Sequence, residues 1–192
     1  VILVAALAAD SRAAEPKADE GATEALKQRT EEIRASLPPS GDEMTPDVRK
    51  RVESIVTKTI DLRGMLESAL GSRWKQMTEK QRKRLLAAFE SRFRQTSSGD
   101  LDPYRSTKIE YRPEVKAADG AVHVPTRVVI KGEPTDITYA MRREKEGWRI
   151  VDIIIDGVST VANYRSSFAR VIQKDGVEGL IRRLERGSTS KS

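Results

Sequence analysis

A fifty-residue stretch with a two-residue rhythm lies between two regions with a helical rhythm, and that order limits the folds open to this chain. Residues 107–156 alternate apolar and polar side chains, punctuated by Asp119-Gly120, Gly132-Glu133-Pro134 and Glu144–Gly147. Alternation of this kind belongs to half-buried strands, and Gly, Pro and Asp clusters at such intervals belong to hairpin turns. Ile109, Tyr111 and Val115 are expected on one side of the first strand. Val122, Val124, Val128 and Ile130 form the next apolar row, followed by Ile137, Tyr139 and Met141, then by Val151, Ile153 and Ile155. Lys108, Glu110, Arg112, Arg127, Arg142 and Asp152 stand against them. The pattern predicts a four-stranded antiparallel meander with one apolar face and one wet face.

The flanks read as helices. Residues 24–36 form a first one, with Leu26 and Ile33 inward, broken by Leu37-Pro38-Pro39-Ser40-Gly41. Thr45 is an N-cap, with Pro46 at the first helical position and Val48, Val52, Ile55, Val56 and Ile60 on one stripe. Asp61 begins a further turn carrying Met65, Leu66, Ala69 and Leu70. Thr78 and Gln81 form a capping box ahead of Leu85, Ala88, Phe89 and Phe93, and Ser97–Asp100 closes that helix. After Gly157, Ser159 caps a helix to about Lys174 with Val161, Tyr164, Phe168 and Val171 inward. Asp175 and Glu178 mark a second start, leading to Leu180, Ile181 and Leu184. Helices, then strands, then helices argue for an α+β fold with helices packed on one sheet face.

Composition removes several classes of function. The 192 residues contain no cysteine and one histidine, His123. Thiolate catalysis, disulfides and Cys- or His-rich metal centres are therefore excluded. His123 alternates with Val122 and Val124 and is expected on the wet face, without a nucleophile motif to serve. Asp156 before Gly157 reads as a turn residue. The net charge of +6 and the basic run Lys80–Arg84 suggest either a solvated face or a docking patch for an acidic protein or phospholipid headgroups. The opening Val1–Ala9 followed by Ser11-Arg12-Ala13 has the form of a secretory h-region and cleavage site. The expected organisation is a signal-peptide remnant at 1–13, a flexible lead at 14–23, one domain at 24–187 and a short tail. Within the domain, 24–100 is helical, 107–156 is the sheet and 158–186 returns to helix. The expected compartment is the periplasm.

From Val122 to Leu184 the sequence resembles the MlaC-type family of periplasmic phospholipid-binding proteins, also known as toluene-tolerance or ABC-transporter auxiliary components. The resemblance rests on Gly147-Trp148-Arg149-Ile150-Val151-Asp152, on Asp156-Gly157-Val158-Ser159 and on Asn163-Tyr164-Arg165-Ser166-Ser167-Phe168. The tail from Gly176 to Leu184 and, upstream, Leu70–Thr78 and Gln81–Phe89 are similar as well, so it extends over roughly residues 45–186. Leu62, Thr160 and Ser167 depart from the residues the family commonly has there.

The resemblance implies a curved, nuclear-transport-factor-like sheet with a helical attachment enclosing a pocket for lipid tails. It implies a carrier and no enzyme, with phospholipid as cargo, no cofactor and no metal. The implied partners are an outer-membrane lipoprotein complex and the inner-membrane substrate-binding ring of an ABC transporter, with no nucleic acid, and the carrier itself is expected to be monomeric. On that reading Val122, Val128, Ile130, Tyr139, Met141, Val151, Ile153 and Ile155 form the pocket floor. Leu66, Leu70, Leu85, Phe89 and Phe168 form its walls, and Tyr164 lies near the mouth. Each of these positions equally suits ordinary core packing. Arg165 either faces a phosphate or pairs with Asp152 or Asp156. Headgroups are expected to stay in solvent. The other readings are an interaction or chaperone module with a filled core, a hopanoid-associated carrier, and an enzyme on the same cone-shaped fold. The enzyme would need an ionisable pair inside the pocket, where the inward rows offer only Tyr111 and Tyr139.

Overall fold

A computed structural model describes residues 21–39, 44–97, 108–130 and 132–189. The expected leader, most of the lead, the closing turn at Ser98–Asp100 and the last residues of the tail lie outside this set. Among the described residues five helices precede the sheet: α1 (Ala22–Ser36), α2 (Pro46–Thr59), α3 (Leu62–Leu70), α4 (Ser72–Gln76) and α5 (Glu79–Ser97). Six strands follow: β1 (Glu110–Tyr111), β2 (Val115–Lys116), β3 (Val122–Ile130), β4 (Glu133–Glu144), β5 (Gly147–Ile155) and β6 (Val158–Ser159). A long helix, α6 (Thr160–Thr189), ends the described chain.

Local signals set the helix starts. Thr45 accepts a hydrogen bond from the Val48 amide at 3.3 Å, and Pro46 opens α2. Asp61 accepts from the Gly64 amide at 2.8 Å and opens α3. Thr78 and Gln81 form the reciprocal capping box ahead of α5, at 3.0 and 3.3 Å. These contacts satisfy amides that a helix cannot pair internally.

The sheet is antiparallel, in the order β1-β3-β4-β5-β6, with β2 pairing beside β1 on the same edge of β3. The expected meander of four strands is thus three long strands with short, broken edges. Arg112-Pro113-Glu114 interrupts the first strand, since proline gives the ladder no donor. The interruption shifts register: Tyr111 lies opposite Thr126, whereas Val115 lies opposite His123. Val115 therefore does not share a side with Tyr111, and it is exposed. A second break lies between β4 and β5. Tyr139 faces Ile153 but Met141 faces Ile150, leaving Val151 as the extra residue of a bulge. Ile150, not Val151, continues the apolar row, and it is buried.

The helices cover one face of this sheet. Val124, Met141 and Ile150 join Leu66, Leu70, Leu85, Phe89, Phe168 and Ile181 in the central core, with Val122, Tyr139, Trp148 and Ile153 packed at its margin. Arg149 fastens the α2–α3 junction to β5: it donates to the Ile60 carbonyl at 2.8 Å, while the Asp61 amide donates to the Ile150 carbonyl at 2.9 Å. At the other end of β5, Asp156 takes a positive φ of 47° and its carboxylate accepts from the Asp136 amide at 3.0 Å. Asp156 and Gly157, whose φ is 81°, thus make the turn into α6. Asp152 and Ser159 then cap α6, accepting from the amides of Val161 and Ala162, each at 3.0 Å.

Helix α6 is two helices joined at Gly176, where φ is 69° and ψ is −179°. That conformation is nearly restricted to glycine, and it coincides with the second start expected at Asp175 and Glu178. The C-terminal half folds back along α5. Arg84 donates to Glu178 at 2.9 Å and to Glu185 at 3.0 and 3.1 Å. Among the described residues no helix is long and apolar enough to cross a membrane.

Candidate functional site

The apolar interior is organised around three aromatic rings where α5 meets α6. Phe89 meets Tyr164 edge-on at 5.1 Å between centroids and Phe168 edge-on at 6.3 Å, while Tyr164 and Phe168 stack at 5.4 Å. Such pairs add modestly to the area they bury. Burial pushes the Tyr164 phenol above its ordinary pKa, against the smaller opposing influence of Arg92. The hydroxyl is therefore neutral at physiological pH.

Two cavities open beside these rings. The smaller, about 190 Å³, is lined by Phe89, Phe93, Asn163, Tyr164 and Phe168, with Arg92 and Leu184 at its border. The larger, about 530 Å³, occupies the angle between the two halves of α6. Its apolar wall is Phe168, Val171, Leu180 and Leu184, and Arg92 reaches into it from α5. Both share Arg92, Ser167, Phe168 and Leu184. A volume near 530 Å³ lies within the range of about 300–1,000 Å³ typical of small-molecule sites.

The residues expected to hold lipid divide into three groups. Leu66, Leu70, Leu85, Phe89, Met141 and Phe168 lie together in the central core, and Val122, Tyr139, Ile153 and Tyr164 border it. Phe89, Tyr164 and Phe168 also line the cavities described above. The second group lies toward the end of the sheet. Val128 is buried outside the central cluster, Ile130 is half-buried and Ile155 is 45% exposed. With Ile137, which lies opposite both Thr126 and Ile155, they form an apolar strip on the face that the helices cover elsewhere. Val151 stands alone as the bulge residue.

Phe89, Tyr164 and Phe168 line these cavities and are expected from sequence at a pocket, whereas Val171, Leu180 and Leu184 are expected only as inward helix positions and Arg92 is not singled out. The signals that could have located the cleft are the glycines at 176 and 187. A Cβ at position 187 would come within 2.1 Å of the Arg92 guanidinium, so Gly187 leaves the room in which Arg92 lies.

The charged candidates have structural partners. Arg165 donates to the Ser68 carbonyl at 3.0 Å, tying α6 to α3 rather than pairing with Asp152 or Asp156. In the basic run, Arg84 is engaged by Glu178 and Glu185, and Arg82 donates to the carbonyls of Trp74 and Lys75 at 3.1 Å. Lys83 lies 3.8 Å from Glu79. Arg82 and Arg84 thus serve internal contacts, while Lys80 and Lys83 are exposed. His123 is half-buried, with Ala140 opposite it on β4 and Val115 on β2. No group of three or more His, Cys, Asp or Glu among the described residues could hold a metal ion.

The family model described as MlaC protein matches residues 23–186. The chain belongs to the MlaC family. Among solved structures, this MlaC-family chain is similar to a phospholipid-binding protein from Ralstonia solanacearum in complex with a phospholipid. The two share 28% identity and superpose with a TM-score of 0.75, over 88% of this chain and 97% of the other. The similarity therefore extends through helices and sheet alike.

Proposed function

We propose that this MlaC-family chain is a non-enzymatic phospholipid carrier. The observation that supports it most is the resemblance, over 88% of this chain and 97% of the other, to a protein solved with phospholipid bound. The physical need is plain. Each CH₂ exposed to water costs about 0.8 kcal/mol, so about twenty methylenes cost on the order of 16 kcal/mol. An apolar protein interior removes that cost, and transfer from membrane to protein becomes an exchange between two apolar phases.

In this reading the acyl chains lodge between the sheet face and the helices α3, α5 and α6. Leu66, Leu85 and Met141 are at most 1% exposed, so the tails are accommodated by the sheet and helices parting. The strip of Val128, Ile130, Ile137 and Ile155 is where the tails first insert. The carrier works in the periplasm, exported by the leader read at residues 1–13. It exchanges cargo between an outer-membrane lipoprotein complex and an inner-membrane substrate-binding ring fed by an ABC transporter. Those partners set direction by preferring the loaded or the empty form.

Native and denaturing mass spectrometry of protein purified from bacteria without detergent tests this. The expected result is about one phospholipid per chain on the 1:1 stoichiometry of a single enclosed pocket, released only on denaturation. Lipid-free protein that takes up no added phospholipid overturns it and favours an interaction module with a filled core.

A further inference from the structure

We infer that the cleft between the two halves of α6 is a second binding site, for a single-chain amphiphile with a phosphate head. Its lining has two distinct parts. Val171, half-buried, gives an apolar wall that is backed by Phe168, Leu180 and Leu184 of the core. Arg170, Lys174 and Arg183 bring three positive charges to the same cavity, which Arg92 also lines, against one carboxylate, that of Asp175. An apolar wall beside a concentrated positive field matches a molecule with an apolar tail and an anionic head.

The arrangement is built by the fold. The kink at Gly176 turns the stripe carrying Ser167, Val171 and Lys174 toward the stripe carrying Leu180, Arg183 and Gly187. The missing side chain at Gly187 lets Arg92 of α5 reach in. Lys174 and Arg183 form no ion pair among the described residues, whereas Arg84, on the same helix pair, is fully engaged by Glu178 and Glu185. The second half of α6 thus places its carboxylates on Arg84 and turns Arg183 into the cleft. None of the sheet residues assigned to the carrier pocket lines this cavity, although Phe168, one of that pocket's expected walls, does. One cavity of about 530 Å³ suits one chain better than the two tails of a phospholipid. Phe168 is the one residue the cleft shares with the carrier pocket, so the test must separate the two readings.

The test is calorimetric titration of the folded chain with dodecyl phosphate, dodecyl maltoside and inorganic phosphate. Dodecyl phosphate is expected to bind, with the other two at least about tenfold weaker, because each supplies only half of the match. The double substitution Lys174→Glu with Arg183→Glu alters exposed positions and is expected to weaken dodecyl phosphate by about tenfold or more. Co-purified phospholipid should be unchanged by it. Val171→Trp, which fills the cleft, should abolish dodecyl phosphate binding through size instead of charge. Equal affinity for dodecyl maltoside, equal affinity for inorganic phosphate alone, or an unaffected double variant would each overturn the inference. Displacement of co-purified phospholipid by dodecyl phosphate would overturn it too, since the cleft would then be part of the carrier pocket. A lipid-free protein that takes up no added phospholipid yet still distinguishes the three probes would leave this inference standing and remove the carrier reading.

Discussion

Arg84 of α5 holds Glu185 of α6 through two parallel hydrogen bonds, Nε to Oε1 at 3.1 Å and Nη2 to Oε2 at 3.0 Å. Its remaining nitrogen, Nη1, donates to Glu178 at 2.9 Å, and Gln81 donates to the other oxygen of Glu178 at 3.1 Å. One guanidinium therefore fixes the returning half of α6 against α5. Arg84→Ala is expected to raise hydrogen exchange across residues 177–187 while leaving the sheet protected. The fall in Tm should be small, because partly exposed pairs contribute little to global stability. Unchanged exchange would mean that the apolar contacts of Leu180, Ile181 and Leu184 hold this helix unaided.

The same cluster gives a pH dependence. Hydrogen bonds from Gln81 and Arg84 hold the Glu178 carboxyl below its ordinary pKa. Its contribution is therefore complete above the ordinary value of about 4.3 and is lost as pH falls through the lowered native value. Exchange in the second half of α6 should rise as the solution is acidified through that window. Glu178→Gln should flatten the response, and an equally steep response in that variant would assign it to another carboxylate.

Asp152 closes β5 and opens α6 at once. One oxygen accepts from the amides of Ile153 and Val161, at 2.8 and 3.0 Å, and the other accepts from the Ser159 hydroxyl. Asp152→Ala should cost about 1–3 kcal/mol in urea denaturation, the range for leaving partly buried donors unpaired. Asp152→Asn keeps an acceptor oxygen and should lose less. Equal losses would show that charge, more than hydrogen bonding, holds this cap.

Gly176 separates conformational strain from steric crowding. A Cβ there meets no atom within 4 Å, yet its φ is 69°. Gly176→Ala should therefore destabilise by about 1–3 kcal/mol without any clash, through backbone strain alone. A neutral result would mean that α6 straightens, and small-angle scattering would show the accompanying change in shape.

The apolar strip at the sheet end makes the carrier reading mutable. Val128 is buried yet lies outside the central cluster, so Val128→Trp should obstruct tail insertion and leave a folded protein. Phospholipid occupancy by mass spectrometry should fall while circular dichroism is unchanged. Full occupancy in the folded variant would remove the strip from the pathway. Ile153→Trp, nearer the core, should reduce occupancy as well, but with an overpacking cost of about 1–3 kcal/mol.

What could be read from sequence was local in origin. Thr45, Asp61, the Thr78–Gln81 box and Ser159 each act within a few residues of themselves, and each does what its position predicts. The apolar rows of β3 and β4 were legible because a strand fixes side-chain direction every second residue. Register was not legible. Val115 and Val151 left their expected rows because breaks in the ladder depend on pairing with a neighbouring strand. The partners of Arg84 lie 94 and 101 residues away, and nothing in the basic run itself points to them. The cleft was hidden for the same reason. It exists only once Gly176 sets the angle of α6 and Gly187 admits Arg92.

The broken outer strands have a consequence for how such a chain behaves in a crowd of copies. An open sheet offers unpaired amides and carbonyls along its margins, and a long flat margin recruits further chains into fibrous association. Here β1, β2 and β6 are two residues each, and Pro113 separates the first two. Among the described residues the outermost strands are too short to template another molecule, and where β6 leaves β5 uncovered the α2–α3 junction bridges it at Ile150. The sheet can remain unclosed, as a space between sheet and helices demands, without becoming a seed for aggregation.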